Sequence, residues 1–251
     1  MKILGSDYDG TLKHGGMSED KLLAIKNWRG AGHRFGIVSG RGKDFRETLL
    51  QETAGLELDF FAAHNGGYIV DQNGATIYEA RCNTVLISEF VKELLSWRCR
   101  FVHIYGEWHL CVAEKYEDFP SYVSEDCRCL FEDLPPIDYF NQISIRFPSV
   151  EESSDVVEKI RKKYEKWLNP LQNGRCIDIV PRGVDKAQGM YRVMEFFGGT
   201  YENVITVGDN INDIDMIREF RSYAMENGVE QLKKLANGIV SDVTEILKKE
   251  L

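Results

Sequence analysis

The sequence predicts an α/β protein: a parallel β-sheet with helices on both faces, interrupted by an inserted α+β module. Three observations predict it. Short apolar runs alternate with helical stretches at both ends of the chain, the pattern of right-handed strand–helix–strand crossovers. The middle, from Asn83 to Val180, alternates short strands in a different style. The apolar runs of the outer parts end in polar signatures, the first of them in MKILGSDYDGT.

The run at Ile3 and Leu4 is too short for a helix and reads as a buried strand. Ser18 caps a helix with Glu19 and Asp20 in its first turn; Leu22, Ile25 and Trp28 share a face, and Gly30 and Gly32 end it. Strands at 34–38 and 59–63 enclose a helix at 43–51. Asn73-Gly74 between 68–70 and 76–78 signals a hairpin. In the middle, a helix at 85–97, beginning on Val85, precedes strands near 102–104, 110–112 and 142–147. An amphipathic helix then carries Val156, Val157, Ile160, Tyr164, Trp167 and Leu168 on one stripe, and a strand at 176–180 closes the module. The outer style resumes with a helix at 186–197, a strand at 204–207, a helix at 214–220, a short strand at 223–225 and more helix. The core is therefore 1–82 with 181–251, and the insert 83–180. Ligands bind outside the carboxyl ends of parallel strands, so the insert is expected to act as a cap that governs substrate choice.

The chain has 251 residues, 43% hydrophobic and 28% charged, enough for a large buried core. A net charge of −9 argues against nucleic acid or a membrane surface as partner, but not against a small anion held by one local cationic site. No stretch is long enough to span a membrane and no leader is visible. Six scattered cysteines read as reduced thiols, so a cytoplasmic location is expected. Cys127-x-Cys129 has poor spacing for zinc.

Why would a buried strand end in Asp7 and Asp9? Alone the pair reads equally well as a solvated turn. Other strand ends change the balance: Ser39-Gly40-Arg41, Lys186 at the head of the helix after the insert, and Gly208-Asp209-Asn210-Ile211-Asn212-Asp213. Parallel strand ends lie side by side, so these groups converge. Asp7, Asp9 and Asp209 or Asp213 suit a hard cation such as Mg²⁺. Lys186 and the Ser39 hydroxyl suit phosphate oxygens, and Gly10 and Gly40 allow backbone N–H groups to approach an anion. Arg41 reads as a surface or structural residue. Trp108 and His109 at a hairpin turn read as structural aromatics, and His33, His64 and His103 carry no assignment.

These motifs resemble the haloacid dehalogenase superfamily of phosphohydrolases. DYDGT (7 to 11), SGR (39 to 41), Lys186 in VDKAQGM and GDNINDIDM (208 to 216) occur in the family's order across essentially the whole chain. The Asn212-Asp213 form of the last motif, Asn65-Gly66 after the third strand and the position of the insert resemble the Cof-type branch, subfamily IIB, with its C2B cap. The resemblance implies a Rossmann-like core. It implies Asp7 as nucleophile and Asp9 as general acid and base, and Mg²⁺ held by the Asp7 side chain, the Asp9 carbonyl and Asp209, with Asp213 acting through water or supporting its ligands. Thr11, Ser39, Gly40, Lys186 and Asn212 would contact phosphate. The implied activity is a Mg²⁺-dependent phosphatase of small phosphorylated metabolites, sugar phosphates among them. The alternatives are a phosphosugar mutase on the same fold and, from another class, a receiver-like or phosphate-binding regulatory module. Two departures stand out: Tyr8 replaces an aliphatic residue, with its side chain expected to point away from the site, and Asp185 precedes Lys186 where a small hydroxyl residue is common.

Overall fold

The computed structural model describes residues 1–53, 55–84 and 86–251, and its chain divides into two units, Met1–Glu79 with Asp185–Leu251, and Ala80–Val184. The sequence places the insert at 83–180. The outward difference has a local cause. Cys82 bridges to Phe140, and the Asn141 amide donates to the Ala80 carbonyl at 2.7 Å, which ties 80–82 to the second unit. At the other end Arg182 N donates to Trp167 O at 2.7 Å.

The first unit begins with β1 (Ile3–Ser6), α1 (Glu19–Gly30), β2 (Arg34–Val38), α2 (Phe45–Glu52), β3 (Phe60–Ala63), β4 (Tyr68–Asp71) and β5 (Thr76–Glu79). The second unit follows with α3 (Ile87–Ser96), β6 (Phe101–Tyr105), β7 (His109–Ala113), β8 (Arg128–Leu130), β9 (Gln142–Arg146), α4 (Val150–Tyr164), β10 (Leu168–Asn173) and β11 (Cys176–Pro181). The chain then completes the first unit with α5 (Lys186–Phe196), β12 (Val204–Gly208), α6 (Ile214–Glu219), β13 (Arg221–Met225), α7 (Glu230–Lys233), β14 (Gly238–Val240) and α8 (Val243–Glu250).

The first unit holds an eight-stranded sheet in the order β14-β13-β12-β1-β2-β3-β4-β5. All pairs are parallel except β3 with β4 and β4 with β5. Strands of a sheet covered on both faces read as continuous apolar runs, not alternating ones. Leu4 faces Ile25 and Trp28 of α1 and Ile246 of α8, while its neighbour Ile3 faces Met190 and Val193 of α5 and Ile217 of α6. Ser18 accepts from Lys21 N at 3.2 Å and so starts α1.

The second unit holds a six-stranded sheet ordered β10-β11-β9-β6-β7-β8, antiparallel except for β7 with β8. Val102, Ile104, Ile143, Ile177 and Ile179 pack with Phe90 and Leu94 of α3 and Val156 and Ile160 of α4. The stripe on the second helix is shorter than the sequence suggests. α4 stops at Tyr164, Trp167 is exposed, and Leu168 opens β10 by pairing with Pro181. β8 and β14 have no counterpart among the strands that periodicity predicts. Val85, the expected start of the helix that is observed as α3, lies outside the described residues.

Candidate active site

β1 is the point where the sheet changes direction. From it the chain steps to β2 and β3 on one side, while β12, β13 and β14 run away on the other. A crevice at the carboxyl end of β1 and β12 is where such a topology places a ligand. Ser6 pairs with Val207, so Asp7 and Asp209 follow two adjacent strands out of the sheet, and Asp7 N donates to Val207 O at 2.9 Å. A tight turn at Tyr8–Leu12 follows Asp7. Gly10 takes φ +80°, and a Cβ there would stand 2.4 Å from Asp209 Oδ2. Only glycine meets both conditions, which explains that position of DYDGT. Tyr8 turns away, buried at the edge of the Phe45 ring (4.9 Å).

Lys186 opens α5 and is fully buried. Its ammonium donates to Asp7 Oδ1 at 2.6 Å and to Asp213 Oδ1. Asp185, which departs from the family pattern, caps α5 by accepting from Gln188 N at 2.8 Å. The head of α5 comes close to the turn after β3: a Cβ on Gly189 would lie 2.7 Å from Gly66 Cα, and Gly66 takes φ +90°. Asn65 N donates to Ser39 O at 2.9 Å. The Asn65-Gly66 pair therefore has a packing reason: it admits the helix that delivers Lys186.

Asp7, Asp209 and Asp213 each present an oxygen within 4.8 Å of the others. Three carboxylates against one ammonium leave a surplus of two negative charges at a buried site. Burial pushes Asp7 well above the usual carboxylate range, with the Lys186 ammonium opposing and Asp213 and Asp209 reinforcing it. Burial also raises Asp209, against the hydrogen bond from Thr11. Burial alone would depress the Lys186 ammonium, but Asp213 and Asp7 outweigh it and hold the group above the usual lysine range. An all-oxygen donor set with two excess negative charges fits a hard divalent cation.

The three acids are not equivalent. Asp213 is fully engaged by protein donors: Oδ1 by Lys186 and Oδ2 by the Asp209 and Asn210 N–H groups, both at 3.0 Å. The carboxylates of Asp7 and Asp209 each carry fewer protein donors, Lys186 on Asp7 Oδ1 and Thr11 on Asp209 Oδ1. Thr11, expected among the phosphate contacts, is buried and donates its hydroxyl to Asp209 Oδ1 at 2.7 Å, which orients that carboxylate. Ser39 is buried and its hydroxyl oxygen accepts from Arg41 N at 3.1 Å. Gly40 and Asn212 are both half-buried, Asn212 in the turn Ile211–Asp213.

Asp9 stands apart. Its carboxylate forms a two-pronged ion pair with Arg41, Nε to Oδ2 at 2.6 Å and Nη2 to Oδ1 at 2.7 Å. The guanidinium lies over the Phe45 ring (4.2 Å) and the Tyr8 ring (5.6 Å). Arg41, read from sequence as surface or structural, is a partner of the second aspartate. Its fork geometry matches a carboxylate, and the aromatic face fixes its plane. Two further residues escape sequence reasoning. Lys21, a buried residue in the first turn of α1, donates to the carbonyls of Leu12 (2.8 Å), His14 (2.9 Å) and Gly16 (3.1 Å) and pairs with Asp242 (2.9 Å), pinning the loop after the first motif. The Asn227 amide donates to Gly10 O at 2.9 Å. Neither has a local signal, since each partner is distant or is a main-chain carbonyl.

Comparison with known proteins agrees with this construction. The haloacid dehalogenase-like hydrolase family matches residues 4–246. An Escherichia coli protein named 5-amino-6-(5-phospho-D-ribitylamino)uracil phosphatase YbjI is 24% identical over 277 residues, covering 100% of this chain and 97% of that protein. The E. coli pyridoxal phosphate phosphatase YbhA is 26% identical over 275 residues, covering 97% and 94%. The solved structure of the subclass IIB sugar phosphatase BT4131 superposes with a TM-score of 0.79 at 20% identity, over 100% of this chain and 99% of that one, a likeness of fold. The motifs, the sheet order and the family match agree: this chain belongs to the haloacid dehalogenase-like hydrolase family.

Proposed function

We propose that the protein hydrolyses the phosphomonoesters of small metabolites through a phosphorylated Asp7, with Mg²⁺ held by Asp7, Asp209 and the Asp9 carbonyl. The observation that carries this reading is the Asp7–Lys186–Asp213 chain of ion pairs beside Asp209 at the end of β1. When bound, the cation would offset the surplus negative charge and polarise the transferring phosphoryl group. The chain's own residues do the rest. Lys186 fixes the Asp7 carboxylate by its hold on Oδ1. A carboxylate oxygen of Asp7 attacks phosphorus, and the bond from phosphorus to the leaving alkoxide oxygen breaks. Asp9 gives that oxygen its proton, then takes one from the water that attacks the phosphoryl group, which frees phosphate and restores Asp7. Asp9 uses both carboxyl oxygens as acceptors from Arg41, so delivering a proton requires it to turn from Arg41 toward the leaving oxygen. Lys186, Ser39, Gly40 and Asn212 are assigned to phosphate, and Thr11 and Asp213 to positioning.

The relatives named above act on phosphates of a ribitylaminouracil and of pyridoxal, so the expected substrates include esters of ring-bearing alcohols as well as sugar phosphates. Purified protein is incubated with p-nitrophenyl phosphate and a metabolite panel, with and without Mg²⁺. Metal-dependent release of inorganic phosphate is expected. Isomerised sugar phosphate in place of free phosphate would favour a mutase, and no release from any substrate would overturn the reading.

A further inference from the structure

The turn that follows β1 has a loose joint in it. Position 10 requires glycine, because a Cβ there would meet Asp209 Oδ2 at 2.4 Å and φ is +80°. Glycine is also the residue least constrained by its own sterics. The segment that carries Asp7 and Asp9 therefore runs through a flexible residue just where it passes Asp209. Charge adds to the problem. Asp7, Asp209 and Asp213 share one Lys186 ammonium, and the surplus negative charge pushes Asp7 and Asp209 apart.

A loop from the next strand resists both effects. β13 is the parallel neighbour of β12, with Ala224 opposite Gly208, so its carboxyl end opens beside Asp209. The chain leaves β13 at Met225 and turns at once, Gly228 N donating to Met225 O at 2.9 Å. Glu226 N donates to Val240 O at 2.8 Å, which ties the turn to β14. Two bonds then reach the site from this anchored turn. Val229 N donates to Asp209 O at 2.9 Å, and the Asn227 amide donates to Gly10 O at 2.9 Å. Gly228 lets the main chains approach, since a Cβ there would stand 2.9 Å from Asp209 O. One short loop thus holds the main chain of both acid-bearing segments.

The Asn227 bond is the one that acts on Gly10. A peptide group is planar, so a carbonyl held at its oxygen fixes the orientation of the whole Gly10–Thr11 peptide. That constrains the rotation glycine leaves free. It also steadies Thr11, whose hydroxyl donates to Asp209 Oδ1 at 2.7 Å. We propose that Asn227 is a positioning residue for cation binding: by holding the Gly10 carbonyl it keeps the turn of Asp7 and Asp9 set against Asp209 before a divalent cation arrives. The inference rests on the metal-dependent reading under Proposed function. Rigidity supplied in advance is ordering that the cation does not have to impose, so it appears as affinity.

Calorimetric titration of the full-length protein with Mg²⁺, without substrate, tests this. Asn227→Ala should weaken Mg²⁺ binding by about two- to ten-fold, the worth of one such hydrogen bond. The metal-free Tm should stay as in the native chain, because Asn227 is exposed. The Mg²⁺ concentration that gives half-maximal hydrolysis of p-nitrophenyl phosphate should rise by the same factor, and excess Mg²⁺ should bring the rate back toward the native one. Asn237→Ala is the matched control. Asn237 Oδ1 accepts from Ser222 N at 2.8 Å at the opposite end of β13, so its removal should lower Tm and leave Mg²⁺ affinity unchanged. If the native chain binds Mg²⁺ and Asn227→Ala binds it equally tightly, this inference alone is overturned. Equal weakening in Asn237→Ala overturns it too, as does a rate deficit that excess Mg²⁺ does not reduce. A native chain that binds no Mg²⁺ overturns the metal-dependent reading and this inference with it.

Discussion

The carboxyl-end rim of the eight-stranded sheet and the open face of the six-stranded sheet solve opposite problems. The rim buries charge: three carboxylates around one fully buried lysine, with main-chain N–H groups on Asp213 and a hydroxyl on Asp209. Burying charge is costly unless it is paired, so every member of the rim has a defined partner, and the partners come from β1, β12 and α5 together. The open face buries almost no charge. It holds aromatic rings in nearly parallel planes, with one carboxylate fixed by a serine hydroxyl. Charge that must be ordered before a substrate arrives suits bond-making. One chain separates the two into different units.

Breaking the rim should have the largest effect. Asp7→Asn keeps the side chain's shape but removes the nucleophile. Turnover should fall on the order of 10⁴-fold or more, with no phosphate bound covalently to the chain as read by intact-protein mass spectrometry. Full turnover in Asp7→Asn would remove Asp7 from the chemistry.

A smaller effect separates the two aspartates of the rim. Asp9→Asn should still attack p-nitrophenyl phosphate, whose leaving group needs no proton, but should be slower by about 10² to 10⁴ with an alkyl phosphate. Comparing the two rates in one preparation checks it. Equal slowing of both substrates would withdraw Asp9 as the leaving-group acid.

The smallest effect tests the other region. His103 is buried, and its folded-state value of about 4 lies below the 6.5 of an exposed histidine. A depressed group stabilises the fold above its unfolded value and loses that contribution as pH falls toward its folded value. His103 should therefore contribute up to about 3 kcal/mol that is present above pH 6.5 and lost between there and pH 4. Melting curves from pH 7.5 to 4.5 should show Tm falling more steeply in the native chain than in His103→Asn. Parallel slopes would mean that the ring face is not held neutral by folding.

Much of the charged rim is legible in the amino-acid sequence. Asp7, Lys186, Asp209 and Asp213 fall at strand and helix ends that periodicity locates, and those ends converge because parallel topology leaves them no other place. The short edge strands are not legible in the same way. β14 spans only Gly238–Val240, and β10 begins at Leu168, which also continues the helical spacing from Tyr164. Pairing with Pro181 turns that segment into a strand.

What the sequence determined by itself is local and periodic: the apolar runs, the glycine at position 10, the serine cap at 18 and the order of the four motifs. The tertiary structure decided which charged side chain meets which. Arg41 looks like any exposed arginine until the turn after β2 sets it against Asp9, 32 residues earlier. Lys21 looks like a surface lysine until Asp242 and three carbonyls bury it. The ring face shows no motif at all, because His103, Ser144 and Asp178 become neighbours only through strand register. The reason is physical. A hydrophobic period repeats within one element and can be read along the chain, whereas an ion pair or a stacked ring depends on atoms that folding alone brings within a few ångströms.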